Sequence, residues 1–130
     1  MIFVDTNVFM YAVGRSHPLQ EEARRFFSES VDAQSNLVTS AEVLQELLHA
    51  YLPVQRIQTL DASLALVDAC VSTVWSLEQQ DVRLARVLAD RFPGLNARDL
   101  LHLASCKRRD VQIVKTFDRD FASASHMLSP

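Results

Sequence analysis

A chain of 130 residues with 48% hydrophobic and 22% charged side chains is long enough to bury a core without a disulfide or metal staple, and its composition excludes a disordered protein. No apolar run approaches the roughly 20 residues of a membrane helix, and Asp5 interrupts the N-terminal apolar stretch, so a membrane span and a secretory leader are not expected and the cytoplasm is the expected compartment. A formal charge of -3 argues against an ordinary basic nucleic-acid binder, unless the acids converge on divalent cations that reverse the local sign.

Ile2-Phe3-Val4 is a short unbroken run of strand character, followed at once by Asp5-Thr6-Asn7. In α/β sheets ligands bind beyond the carboxyl ends of the strands, which makes Asp5 a site candidate; the same three residues would also serve to turn the chain and cap a helix. Ser16-His17-Pro18 with Glu21 and Glu22 opens a helix whose apolar stripe is Leu19, Ala23, Phe26, Phe27 and Val31. Leu37-Val38-Thr39 reads as a strand, and Ser40 caps a helix running to about Tyr51 before Pro53. A helix over roughly 54–69, a β-branched strand over 71–75 and a helix over 79–92 closed by Pro93-Gly94 follow. Asn96 then caps a helix to about Arg109, and Val111 to Thr116 is the last strand. Strands separated by helices imply right-handed crossovers and a parallel sheet covered on both faces, in one domain over residues 1–130.

Three further acids repeat the placement of Asp5. Asp118 follows Val114-Lys115-Thr116, on the edge where a parallel sheet puts Asp5, and Asp99 stands three residues after the Asn96 cap. In the helix after Ser40 the stripe is Val43, Leu44, Leu47, Leu48 and Tyr51; at about 100° per residue Glu46 falls on its flank and Glu42 nearly opposite, so Glu46 is the candidate and Glu42 the fallback. Asp99 falls similarly beside the stripe of Leu100, Leu101, Leu103 and Ala104. Carboxylates gathered together repel one another unless a cation compensates, and oxygen donors suit Mg²⁺ or Mn²⁺. Two such ions, roughly 4 Å apart, activate a water and stabilise the leaving oxygen in phosphodiester hydrolysis.

Together these residues resemble the PIN domain, in the small form of the VapC-type ribonuclease toxins of toxin–antitoxin pairs. The resemblance is carried by Val4-Asp5-Thr6-Asn7, by Thr39-Ser40 with Glu46 six residues after Ser40, by Ala97-Arg98-Asp99, and by Thr116-Phe117-Asp118-Arg119-Asp120-Phe121. It implies a three-layer α/β/α domain with a central parallel sheet of four to five strands. It also implies that Asp5, Glu46, Asp99 and Asp118 hold divalent metal, with Asn7 and Thr116 supporting them by hydrogen bonds. The implied activity is Mg²⁺-dependent endonucleolytic cleavage of RNA by water, leaving a 5′-phosphate and a 3′-hydroxyl. The implied partners are an RNA substrate, a cognate antitoxin and a second copy of the chain.

Other readings compete. Glu46-x-x-His49 and Asp99-x-x-His102 have the spacing of di-iron sites, but those require four facing helices, and both histidines fall opposite their helices' stripes, toward solvent or an interface. His17 and His126 lie in expected loops. A phosphohydrolase or phosphoacceptor using Asp5 as nucleophile usually carries Asp-x-Asp, where this chain has Asn7. A non-catalytic RNA-binding module would keep the fold without needing all four acids. Arg98, Lys107, Arg108, Arg109, Lys115 and Arg119 are either a solvated face or phosphate contacts around the cleft. Cys70 and Cys106 form no CxxC pair and read as small buried hydrophobes.

Overall fold

Strand β1 (Ile2–Val4) lies inside a four-stranded parallel sheet with β2 (Leu37–Ser40), β3 (Thr73–Trp75) and β4 (Ile113–Lys115), in the order β3-β2-β1-β4. The computed structural model describes residues 1–128. Register is fixed by Phe3 opposite Val38 and Val114, and by Val38 opposite Thr73. Phe3 and Val4 are fully buried, as a central parallel strand requires. Because every pairing is parallel, the carboxyl ends of all four strands share one edge.

The helices are α1 (Thr6–Val13), α2 (Gln20–Asp32), α3 (Ala41–Tyr51), α4 (Ile57–Cys70), α5 (Gln79–Arg91), α6 (Ala97–Arg108) and α7 (Arg119–Leu128). Helices α1 to α4 pack among themselves, whereas α5 packs on α6 and α6 on α7. The larger core joins Phe3, Val8, Phe9, Phe27, Leu37 and Leu47, and a smaller one joins Leu88, Phe92, Leu100, Leu103 and Ala124. None of the helices described is long and apolar enough to cross a membrane. Cys106 is buried, Cys70 is half-buried, and both are free thiols.

Several elements differ from the sequence expectation. Helix α1 begins at Thr6, directly after β1, where the sequence offered Asp5-Thr6-Asn7 as a cap but no helical stripe behind it: Thr6, Val8, Phe9 and Ala12 are buried, so its apolar content and β-branched start hide the helical period. Helix α7 takes in Arg119, Asp120 and His126, which were expected in a turn and a loop; its Ser-rich middle has weak intrinsic propensity. In α2 the stripe is shifted, with Ser30 buried and Val31 55% exposed. His102, expected to face away from the core, is 1% exposed. Helix α6 contributes to both cores, through Cys106 on one side and Leu100, Leu103 and Ala104 on the other, so a single-stripe reading of it fails.

Candidate active site

Asp5 stands where β1 passes into α1. Its N–H continues the ladder to the Lys115 carbonyl at 3.0 Å, and its backbone remains extended. One carboxylate oxygen accepts from the Thr6 N–H at 2.8 Å, capping α1, and the other accepts from Thr116 Oγ1 at 2.7 Å. The two sequence alternatives for Asp5, cap and cleft residue, are therefore both realised in one side chain. Thr116 in turn accepts from the Asp118 N–H at 3.0 Å and from Asn7 Nδ2 at 3.4 Å, while Asn7 Oδ1 accepts from the Phe117 N–H at 3.2 Å. Asn7 and Thr116 thus tie the end of β1 to the turn after β4.

Asp118 Oδ1 accepts from the N–H groups of Asp120 and Phe121 at 2.9 and 3.2 Å and so starts α7. Asp99 is carried into place by the first turn of α6, where Asn96 Oδ1 accepts from its N–H at 2.9 Å. Ser40 caps α3 by accepting from the Val43 N–H at 3.4 Å, which sets the direction in which Glu46 projects. Glu46 Oε2 accepts from Thr6 Oγ1, and Oε1 lies 2.9 Å from His102 Nε2.

A cleft of about 280 Å³ is walled by Asp5, Glu46, Asp99 and Asp118 together with Asn7, Met10, His49 and Arg98. All four acids expected from the sequence therefore meet. Glu42 is not part of this wall, although burial and the nearby Glu46 charge push its carboxyl up. His49 is exposed at the mouth of the cleft, as its position opposite the stripe implied.

The electrostatics report crowding. Burial raises the Asp5 carboxyl despite the opposing effects of His102, Thr116 and Thr6. Asp99 is pushed up to about 6, first by burial and then by the charges of Asp5 and Asp118. Glu46 is pushed up by burial but ends below its ordinary value, because the His102 hydrogen bond and charge, with help from Thr6, outweigh desolvation.

His102 is the residue that sequence reasoning missed. Burial depresses its imidazole, yet the bond to Glu46 and the charge of Asp5 raise it on balance. Its Nδ1 has no hydrogen-bond partner, so in the neutral ring the proton sits on Nε2 and is donated to Glu46. The rings of Phe3 and Phe121, with centroids 5.5 and 6.1 Å away, pack beside it. The available signal was the Asp99-x-x-His102 spacing, which sets both residues on adjacent turns of α6.

The donor set fits a divalent cation. Carboxylate oxygens of Asp5 and Glu46 lie within 4.8 Å of each other, with the His102 nitrogen within the same distance as the hydrogen-bond partner of Glu46, and Asp99 and Asp118 complete an oxygen-rich wall. Burial is the first cause of the raised carboxyls of Asp5 and Asp99, and neighbouring carboxylates add to it, most at Asp99; a cation between them would oppose both effects.

The basic residues do not form one surface. Arg98 reaches the cleft, whereas Arg108 and Arg109 clamp the buried Asp81 at 2.7 and 2.9 Å, and Arg109 lies over Trp75 at 4.8 Å. Lys115 pairs with Glu22 at 3.8 Å. Lys107 and Arg119 are exposed.

The parallel sheet and the acidic cleft at its carboxyl edge define an α/β protein whose candidate site is built from carboxylates. A model of the PIN domain matches residues 2–127, and the chain belongs to that family. Ribonuclease VapC23 of Mycobacterium tuberculosis (strain ATCC 25618 / H37Rv) is 60% identical over 124 residues, covering 95% of this chain and 98% of the relative. Ribonuclease VapC13 of the same strain is 38% identical over 123 residues, covering 95% and 94%. Among solved structures, Mycobacterium tuberculosis VapC20, described as a Sarcin-Ricin loop cleaving toxin, superposes with a TM-score of 0.75 at 20% identity over 95% of both chains. VapBC2 from Rickettsia felis, bound to a DNA fragment from their promoter, gives 0.67 at 15% identity over 95% of this chain and 92% of that one. These two structural likenesses speak to the fold.

Proposed function

We propose that this protein is a metal-dependent endoribonuclease and the toxin of a toxin–antitoxin pair. The observation that carries the reading is the convergence of Asp5, Glu46, Asp99 and Asp118, from four separate elements, on one cleft. The 60% identity to a ribonuclease over nearly the full length of both chains supports it. Residues 1–130 act as one unit in this reading, with Mg²⁺ as the metal and Mn²⁺ as a substitute.

The four carboxylates would hold a divalent cation, which when bound would supply Lewis acidity and lower the pKa of water. The protein's own part is positional. Thr116 and Asn7 fix Asp5 and the turn bearing Asp118, and His102 with Thr6 fixes both oxygens of Glu46. Arg98, exposed at the mouth, offers a guanidinium to the substrate phosphate. The oxygen of water bonds to phosphorus and its proton passes to solvent as the P–O3′ bond breaks, and the departing 3′-oxygen takes up a proton, leaving a 5′-phosphate and a 3′-hydroxyl. Both oxygens of Asp5 are engaged, which suits a fixed ligand and gives no support to a phosphotransfer nucleophile. The partners in this reading are RNA, a cognate antitoxin and a second copy of the chain, all met in the cytoplasm.

The test is incubation of the purified protein with structured RNA and Mg²⁺, alongside EDTA and an Asp5→Asn variant. Cleavage that requires both metal and Asp5 is the expected result. Cleavage persisting in both controls sinks the reading, and a labelled aspartyl-phosphate would replace it with phosphotransfer.

A further inference from the structure

Beside the cleft, three aromatic rings form a row that the carboxylate chemistry does not use. Asn7, Met10 and Tyr11 share one face of α1 at i, i+3 and i+4, and the first two line the cleft. Tyr11 carries the His17 ring stacked on it, with centroids 4.4 Å apart and planes 26° from parallel. On its other flank Tyr11 meets Phe117 edge-on at 5.5 Å. Phe117 adjoins Asp118, and its N–H donates to Asn7, so the row is tied to the hydrogen bonds that hold Asp5. Lys115 Nζ lies 5.0 Å from the centre of the Phe117 ring.

His17 is the exposed end of the row. Its Nδ1 accepts from the Leu19 N–H at 3.1 Å, which together with the rigid Pro18 sets the plane of the ring. Tyr11 stacks on one face of the ring, and the residue as a whole is exposed. A ring ordered in this way and left outside the core presents a π-face at little further entropic cost. Unpaired bases splayed out of single-stranded RNA stack on such faces, histidine included. Lys115, a cation whose ion pair among the described residues is a 3.8 Å contact with Glu22, supplies a charge suited to a polyanion.

We propose that His17, Tyr11 and Phe117, with Lys115, form a subsite for one unpaired base of the RNA substrate and its adjoining phosphate. The inference rests on the ribonuclease reading above. It sets the base beside the carboxylate cleft and leaves the cleft itself, with Arg98, to the scissile phosphate.

The test uses the full chain in EDTA, so that binding is read without cleavage. Fluorescence anisotropy would follow a single-stranded oligoribonucleotide and a series in which one nucleotide at a time is abasic. The expected result is one position at which base removal weakens binding to the wild-type protein about tenfold. His17→Ala weakens the intact oligonucleotide by a similar factor and abolishes the abasic effect, His17→Phe retains it, and Lys115→Gln lowers the salt dependence by about one ion. A His17→Ala protein that binds intact RNA as tightly as the wild type, or keeps the same abasic penalty, overturns the proposal. So does an unchanged RNA affinity accompanied by altered sedimentation, which would assign the row to an interface between copies. Failure of the ribonuclease reading shows separately, as the absence of Mg²⁺-dependent cleavage by the wild-type protein.

Discussion

His102 Nε2 lies 2.9 Å from Glu46 Oε1, and the imidazole that makes this contact is 1% exposed. The bond fixes the carboxylate from below while Thr6 holds its other oxygen. Groups of this kind typically contribute 10- to 100-fold to metal affinity or activity. His102→Leu keeps the packing against Phe3 and Phe121 but removes the donor, and is expected to weaken Mn²⁺ binding, measured calorimetrically, by about 10-fold or more. His102→Gln, whose amide nitrogen reaches the position of Nε2, restores part of it. Equal Mn²⁺ affinity in the Leu variant would remove His102 from the site's machinery.

Asp99 gives the metal-free protein a pH signature. Its carboxyl is pushed up to about 6, above the ordinary 3.8, by burial first and then by Asp5 and Asp118. A raised folded value means that the folded state holds the proton more tightly, so stability rises as pH falls through about 6 and the gain is complete below the unfolded value. For a half-exposed carboxyl, with screening allowed for, the increment is of order 1 kcal/mol. The raised His102 imidazole acts in the same direction, so Asp99→Asn is the variant that isolates the effect. Metal-free Asp99→Asn is expected to melt higher than the wild type near pH 8, with the difference shrinking toward pH 5, while its cleavage activity falls at least 100-fold. A variant that melts lower at every pH would show that Asp99 stabilises the fold instead of straining it.

The cleft position of the four acids was legible in the sequence, as was the parallel sheet, but individual helices were not. Asp5, Glu46, Asp99 and Asp118 were found because each stands just past a strand or at a definite helical angle, and parallel pairing brings such positions to one edge. Helix α1 escaped because Thr6-Asn7-Val8-Phe9 is helical through burial and not through propensity. His102 escaped because the amphipathic argument assumes one buried face, whereas α6 lies between two cores. The two arginines clamping Asp81 could not be told from a solvated basic run, since their partner lies 27 and 28 positions away in the chain.

Asp81 is a structural counterpart to the cleft acids. It is fully buried and accepts from Arg108 and Arg109, and one of its oxygens also accepts from the Glu78 N–H at 2.8 Å in the capping box of α5. Burial pushes its carboxyl up, but the Arg109 and Glu78 hydrogen bonds and then Arg108 hold it below the ordinary value. A lowered folded value contributes stability that is present above the unfolded value of 3.8 and is lost as pH falls below it. Asp81→Ala leaves Arg109 without its buried partner and is expected to cost about 3 kcal/mol in urea unfolding. Because Asp81 lies outside the cleft wall, the variant should still cleave RNA at temperatures where it is folded. A loss below about 0.5 kcal/mol would mean that solvent takes over the contacts.

The chain contains only two glycines, of which Gly14 caps the end of α1, and the left-handed exits after α2, α3 and α6 are made without glycine. Gln34, Gln55 and Asp110 take φ of 53, 58 and 56°, the left-handed conformation in which a side chain costs about 1 kcal/mol. Each follows a helix: Gln34 comes after α2, Asp110 after α6, and Gln55 at the end of the turn leaving α3, where its N–H donates to the Leu52 carbonyl at 3.0 Å. Glycine adopts this conformation freely, but it also widens the unfolded ensemble, so the two effects oppose each other. At Gln55, which is exposed, little packing is lost on substitution and the relief of strain decides the sign. Gln55→Gly is therefore expected to raise stability by about 0.5 kcal/mol, or roughly 2 °C in melting temperature for a domain of this size, with RNA cleavage unchanged. A lower melting temperature would show that the side chain of Gln55 holds the turn after α3 more firmly than its backbone strains it.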